Sequence, residues 1–299
     1  MHHRRRCARP LSPVAAIAIP CLIVALTSAT ASADTIMRAT YDNGRTDSGY
    51  AGIGASGCCT YSLNPDGSLH RAGTYSIRSA LRYADPEVSG GPRAESDTVN
   101  IVATRFQPGQ TSWYGFSVYI PSTWQDDATA EDIIFQWHHT KSSCDNPNRS
   151  PSMFLEVLPP STTSASKLRL RVNSDPVLCD YRDNADANLT KTSYDLTALT
   201  KGAWHDFVFQ VNWSYTQTGS ITAWHQTSKL PGWTQVLNAE NVANTYNSGT
   251  GTFGYLKWGI YKPAWRQGPT AVTERVVWHD NIAVAADTST GFQDVDPSA

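Results

Sequence analysis

Three features of the sequence predict an all-β protein, a sandwich or jelly roll of two stacked antiparallel sheets. Short runs rich in Val, Ile, Thr and aromatic residues recur along the chain, separated by Gly, Pro, Asn, Asp and Ser. No long segment carries the 3.6-residue apolar period of an amphipathic helix. Several runs alternate apolar and polar residues, which gives a strand one greasy face and one polar face.

Taken in order, the predicted strands are Thr35–Tyr41, Tyr75–Tyr83, Thr98–Phe106, Ser112–Ile120, Asp132–His138, Met153–Leu158, Lys167–Val172, Trp204–Trp213, Ser220–His225, Tyr255–Tyr261 and Thr273–Val284. Cys144 to Arg149 and Asp175 to Asn188 read as polar loops. No interdomain linker interrupts the pattern, so residues 34–286 are expected to form one domain, followed by a flexible tail over 287–299.

The amino terminus predicts export. Arg4, Arg5 and Arg6 form a basic stretch, Val14 to Leu26 an apolar one, and Ala31-Ser32-Ala33 a small-residue cleavage site. Residues 1–33 are therefore expected to leave as a signal peptide. They take Arg4, Arg5, Arg6 and Arg9 with them, which leaves 20 of the 24 basic residues against 26 acidic ones, a net −6. An acidic chain is a poor partner for nucleic acid or a membrane surface, and a polyanionic ligand would need a locally basic groove. The expected state is a secreted, extracellular monomer.

Of six cysteines, Cys58, Cys59, Cys144 and Cys179 remain after cleavage, an even number for an oxidising compartment. Cys144 with Cys179 is the expected disulfide. Cys58 and Cys59 would then bridge each other or stay free, and crossed pairing is the alternative. Neither a zinc spacing nor a CxxC motif is present.

Three segments carry the chemistry. In Ile133-Ile134-Phe135-Gln136-Trp137-His138, alternation puts Ile133, Phe135 and Trp137 on the apolar face, and Ile134, Gln136 and His138 on the other. In Tyr255-Leu256-Lys257-Trp258-Gly259-Ile260-Tyr261, Leu256, Trp258 and Ile260 share the apolar face. Tyr255, Lys257, Gly259 and Tyr261 share the polar one, with Gly259 leaving room between a cation and a phenol. In Arg93-Ala94-Glu95, Arg93 and Glu95 project together. Each segment alone is ordinary strand surface. Together they put a cation, an amide, an imidazole and a phenol on one polar sheet face, which suits proton abstraction beside a carboxylate. Arg93 or Gln136 would neutralise the uronate carboxylate, and a neutral His138 would act as base. Tyr261 would protonate the departing oxygen, or serve as base beside a cation, for which Lys257 is the expected neighbour.

These segments resemble the jelly-roll polysaccharide lyases, in particular the heparin lyase I-like group with its glucuronan lyases, and more distantly the alginate lyases. The ordered set Arg93-Ala94-Glu95, Gln136-Trp137-His138 and Tyr255 to Tyr261 carries the resemblance, over roughly Tyr75 to Val284. Trp113 to Pro121 and Gly202 to Val208 look like the neighbouring strands. The resemblance implies a concave cleft bearing Gln136, His138, Lys257 and Tyr261, with His138 and Tyr261 handling protons and Arg93, Tyr255 and His139 binding substrate. Ser96 and His139 depart from the usual pattern.

The implied function is β-elimination on a uronic-acid polymer, glucuronan first and alginate second. It needs no cofactor for chemistry, with a structural Ca²⁺ as a family possibility whose ligands the sequence does not identify. The alternative is a non-catalytic, lectin-like carbohydrate-binding jelly roll, which ten tryptophans also suit but which has no use for a proton shuttle. A glycosidase pair of facing carboxylates is missing, with Asp132 and Glu156 the stray acids. The Gly-x-Ser-x-Gly elbow of a serine hydrolase is missing too.

Overall fold

Alternating runs bury one face each, and two sheets meeting on those faces satisfy them all. The computed structural model describes residues 35–140, 149–178 and 188–299. In chain order the strands are β1 Thr35–Ala39, β2 Gly54–Ser56, β3 Leu63–Asp66, β4 Ser76–Arg82, β5 Arg93–Asp97, β6 Thr111–Ile120, β7 Asp132–His139, β8 Met153–Leu158, β9 Lys167–Ser174, β10 Thr190–Ala198, β11 Ala203–Asn212, β12 Gly219–Thr227, β13 Leu230–Val242, β14 Gly254–Tyr261 and β15 Glu274–Ala286. One sheet runs β13-β12-β11-β6-β15-β4-β3, with β1 also on β15. The other, here the cleft sheet, runs β10-β9-β8-β7-β14-β5-β2. Pairings are antiparallel throughout, and the architecture is a β-jelly roll.

The core fills the space between the sheets. Phe116 of β6 stacks on Phe135 of β7 with ring centroids 3.8 Å apart, and Trp137 packs edge-on to Phe209 of β11 at 4.9 Å. Leu256, Trp258 and Ile260 of β14 join the same cluster, so the apolar face of that strand lies where alternation predicts. Three expectations need correction. The strand expected over Thr98–Phe106 instead lies at Arg93–Asp97, and the later segment holds a short 3-10 turn with Val102 exposed. β10 and β13 went unpredicted because they are polar edge strands. The third concerns the carboxyl-terminal tail.

Residues 287–299 do not fray. Helix α1, Gly291–Val295, covers the outer face of the first sheet. There Trp113 and Trp224 stack at 5.8 Å, and Phe292 meets Trp224 and Trp233 edge-on, each at 5.3 Å. Arg38 donates to the carbonyls of Asp294 (2.7 Å) and Asp296 (3.1 Å) and pins the segment. Gly115 permits the approach, since a Cβ there would sit 1.8 Å from the Val295 carbonyl oxygen. The outward tryptophans supply an apolar patch that a water-facing sheet would leave costly, and the tail buries it.

Cys58 and Cys59 are joined to each other. Cys144 and Cys179 lie outside the described residues, as does the segment 1–33. Among the described residues the one grouping of three metal-type donors is Cys58, Cys59 and Asp85. Two of its three atoms are disulfide sulfurs, so it does not fit the oxygen shell that Ca²⁺ requires.

Candidate active site

Three adjacent strands of the cleft sheet, β5, β14 and β7, bring the predicted residues together. Register places Lys257 opposite both Gln136 and Asp97, Tyr255 opposite His138, and Tyr261 opposite Arg93. Directly opposed residues share a face, so all of these point away from the core. They open into a cavity of about 730 Å³ lined by Arg93, Asp97, Gln136, His138, Tyr255, Lys257 and Tyr261, with Ser56, Arg149 and Arg266 at its sides.

The organising residue is one that sequence reasoning paired with Arg93 and took no further. Glu95 is buried, and its carboxylate accepts from three donors: Lys257 Nζ at 2.6 Å, Arg93 Nη1 at 3.2 Å, and the Gln136 amide. The cation, the guanidinium and the amide on three strands are thus aimed by one carboxylate. Each keeps further N–H groups, and Arg93 Nε has no partner. The signal for Glu95 was present in the i, i+2 spacing from Arg93. What a strand-by-strand reading could not supply was its cross-strand partners.

Two backbone irregularities alter the predicted faces. Registers shift between Ile133 and Phe135 of β7 and between Trp258 and Tyr261 of β14. Ile134 consequently enters the core while Ile133 sits opposite Tyr261, the reverse of simple alternation. Gly259, at φ 135°, occupies the β14 irregularity, and a Cβ there would lie 2.2 Å from the Ala94 carbonyl oxygen. Its service is close approach of β5, not room between a cation and a phenol.

Arg93 is a cation beside Tyr261: its guanidinium lies 4.4 Å from the phenol ring centroid, while Lys257, the expected neighbour, lines the same cavity with its ammonium, like Arg93, on Glu95. His139 is also displaced from its expected role. It continues the Trp137 face, is buried edge-on to Tyr246 with centroids 6.0 Å apart, and does not line the cavity.

His138 is half-buried, and its ring lies 5.3 Å from that of Tyr255. Burial, reinforced by the charge of Lys257, pushes its pKa down to about 3, so the imidazole is neutral at ordinary pH. Nδ1 lies 2.8 Å from the backbone nitrogen of His139 and 2.9 Å from its carbonyl oxygen. A neutral imidazole that accepts at Nδ1 offers the cavity an Nε2–H donor, and one that donates from Nδ1 to the carbonyl offers an Nε2 able to take a proton. Burial also raises the Tyr255 hydroxyl and the Asp97 carboxyl above their usual ranges.

Among the described residues the cavity lining carries more cations than acids although the chain is acidic: Arg93, Arg149, Lys257 and Arg266 line it with one carboxylate, Asp97, while Glu95 lies beneath Arg93 and Lys257 and Asp175 pairs with Arg149 at 3.1 Å. The two acids considered for glycosidase work serve elsewhere. Asp132 is held by Arg275 (2.9 Å) and Lys262 (3.1 Å), and Glu156 by Arg169 (2.6 Å).

A family model described as polysaccharide lyase matches residues 40–283. No curated relative matches the chain by sequence. Among solved structures, an endo-β-1,4-glucuronan lyase from the fungus Trichoderma reesei superposes with a TM-score of 0.64 at 23% identity, covering 82% of this chain and 93% of that one. The catalytic domain of a glycoside hydrolase family 131 protein from Coprinopsis cinerea gives 0.50 at 15% identity, covering 86% and 98%. A PL-14 alginate lyase from Aplysia kurodai gives 0.49 at 9% identity, covering 76% and 87%. A glucuronan lyase and a glycoside hydrolase family 131 protein therefore share this fold, and the side chains of the cleft must distinguish them.

Proposed function

This chain belongs to the polysaccharide lyase family, and from that premise we propose that it cleaves a uronic-acid polymer, glucuronan before alginate, by β-elimination. The observation that carries the reading is the cavity lining among the described residues: four cations, a neutral imidazole and two phenols, with one carboxylate. Hydrolysis by the usual pair of acids needs both to face the bond, and among the described residues Asp97 is the one carboxylate lining the cavity. Elimination requires neutralisation of the uronate carboxylate, then movement of one proton from C5 to the departing O4.

Arg93 and Lys257, aimed by Glu95, meet the carboxylate, and Gln136 and the His138 Nε2–H stabilise the enolate charge that grows on it. Tyr261, acting as the phenolate beside the Arg93 guanidinium, takes the C5 proton, the C4–O4 bond breaks as the C4–C5 double bond forms, and the phenol so formed gives that proton to O4, which restores the phenolate. In a β-1,4-linked glucuronate H5 and O4 lie on the same side of the ring, so one group suffices. Mannuronate, its C2 epimer, shares that relation, so the preference for glucuronan over alginate rests on the likeness to the Trichoderma reesei structure. The basic, apolar and small-residue order of residues 1–33 supports export to a medium where such polymers occur.

The test is incubation with polyuronates while following the ultraviolet absorbance of the unsaturated uronate end. Tyr261→Phe is expected to lose at least about 10²-fold in kcat, the scale of a lost acid or base, and to keep its thermal midpoint. Products without the double bond refute elimination, and near wild-type turnover in Tyr261→Phe refutes the proton role.

A further inference from the structure

The cleft sheet continues past the cavity through β8, β9 and β10, and its register builds a cross-strand row. Lys257 stands opposite Gln136, Gln136 opposite Phe154, Phe154 opposite Arg171, and Arg171 opposite Ser193. All share the face that bears the cavity. Phe154 is half-buried and presents an apolar surface between two polar neighbours. Two arginines of β9 approach Glu156 unequally: Arg169 donates through Nε at 2.6 Å, whereas Arg171 comes no nearer than 3.8 Å. Glu156 is matched by Arg169, and Arg171 remains a surplus cation with 28% of its side chain exposed. Its Nε is buried and has no hydrogen-bond partner.

A partly exposed guanidinium with no carboxylate closer than 3.8 Å can take a uronate carboxylate in charge-assisted hydrogen bonds. Three strand spacings separate Arg171 from Lys257, about 14 Å, a span that one sugar ring does not cover. We propose that Phe154 and Arg171 form an outlying subsite for a second uronate of the same chain, Phe154 under a sugar face and Arg171 on its carboxylate. The proposal rests on the polyuronate reading above and deepens it. The polymer crosses the strands from β5 toward β10, and the enzyme prefers long chains cut internally over short oligomers.

Size-defined oligouronides and the intact polymer provide the probe. In the wild type kcat/KM climbs with chain length until the row is filled. Arg171→Ala is expected to raise KM for the polymer by roughly five- to tenfold, the worth of one charge-assisted pair at a partly exposed site, to leave kcat unchanged, and to leave the shortest cleaved oligomer unaffected. Arg171→Lys is expected to recover part of the loss. Lys167→Ala removes a cation of the same strand that Asp195 already pairs at 2.8 Å, and it is expected to change nothing.

An unaltered chain-length dependence in Arg171→Ala, or an equal loss in Lys167→Ala, overturns the subsite. Gel retardation by polyglucuronate against a neutral glucan reads binding apart from turnover. A wild type that is retarded but releases no unsaturated product contradicts the elimination and leaves the subsite to be judged by the retardation of Arg171→Ala. If no polyuronate retards the wild type, the subsite fails.

Discussion

Glu95→Gln is the most informative single change, because it keeps the shape of the side chain and removes one charge. In the wild type Glu95 faces Lys257 at 2.6 Å and Arg93 at 3.2 Å, with side-chain exposures of 2%, 5% and 10% for the three residues. Removing one member of a buried pair typically costs about 3–5 kcal/mol, mostly because the other charge stays buried and uncompensated. Gln retains an acceptor oxygen, and Arg93 has some access to water, so the cost falls somewhat below that range, about 2–3 kcal/mol. For a domain of this size that corresponds to a fall in thermal midpoint of roughly 5–10 °C. Catalysis suffers separately: with no carboxylate to aim them, the cation, guanidinium and amide lose their common focus, and misplacement of that kind costs about 10²-fold in kcat. Circular-dichroism melting and the unsaturated-product assay read the two effects. Adding Lys257→Met removes the stranded charge, so the double variant is expected to recover much of the stability and none of the activity. Glu95→Gln with an unshifted midpoint and a wild-type rate would refute the view that one carboxylate organises the site.

Other outcomes follow from buried groups and from the tail. His138→Gln, which donates an N–H but is no base, is expected to stay within about tenfold of wild type, while His138→Ala loses about 10²-fold; equal losses would make His138 the base. With its pKa near 3, His138 gives kcat/KM no acidic limb around pH 6.5, and a limb there contradicts a neutral donor. His279 is wholly buried, and burial takes its pKa to about 3 against the opposing pull of the Ile134 backbone. The unfolded chain binds a proton there below about pH 6.5 and the folded chain does not, so stability drops as pH falls, by up to about 1.4 kcal/mol per pH unit. His279→Leu is therefore expected to raise the urea midpoint more at pH 4.5 than at pH 7.5, and an equal change at both refutes the assignment. Truncation after Asp287 uncovers Trp113, Trp224 and Trp233 and is expected to lower the thermal midpoint by several degrees, whereas a dispensable tail leaves it unmoved.

Alternation made the core legible, and with it the sheet face that carries the chemistry. Phe135, Trp137, Leu256, Trp258 and Ile260 entered the core as their spacing requires, so Gln136, His138, Lys257 and Tyr261 had one face left to occupy. What stayed illegible has physical causes of two kinds. An irregularity changes parity without changing composition: Ile133 and Ile134 are chemically identical, and nothing local says which of them turns outward. Cross-strand pairing, in turn, joins residues far apart in sequence. Arg93 lies beside Tyr261 and Glu95 beneath Lys257 because β5 pairs with β14 across more than a hundred residues, and no window on either segment contains both partners. The same limit hid the tail, whose Phe292 and Val295 look dispensable until the outward tryptophans of β6 and β12 need cover. The site therefore divides by range. Residue types and faces are local properties and were readable. Which cation serves the phenol, which carboxylate aims the donors, and which arginine is left over for substrate are properties of the sheet register, and they determine how the cleft can act.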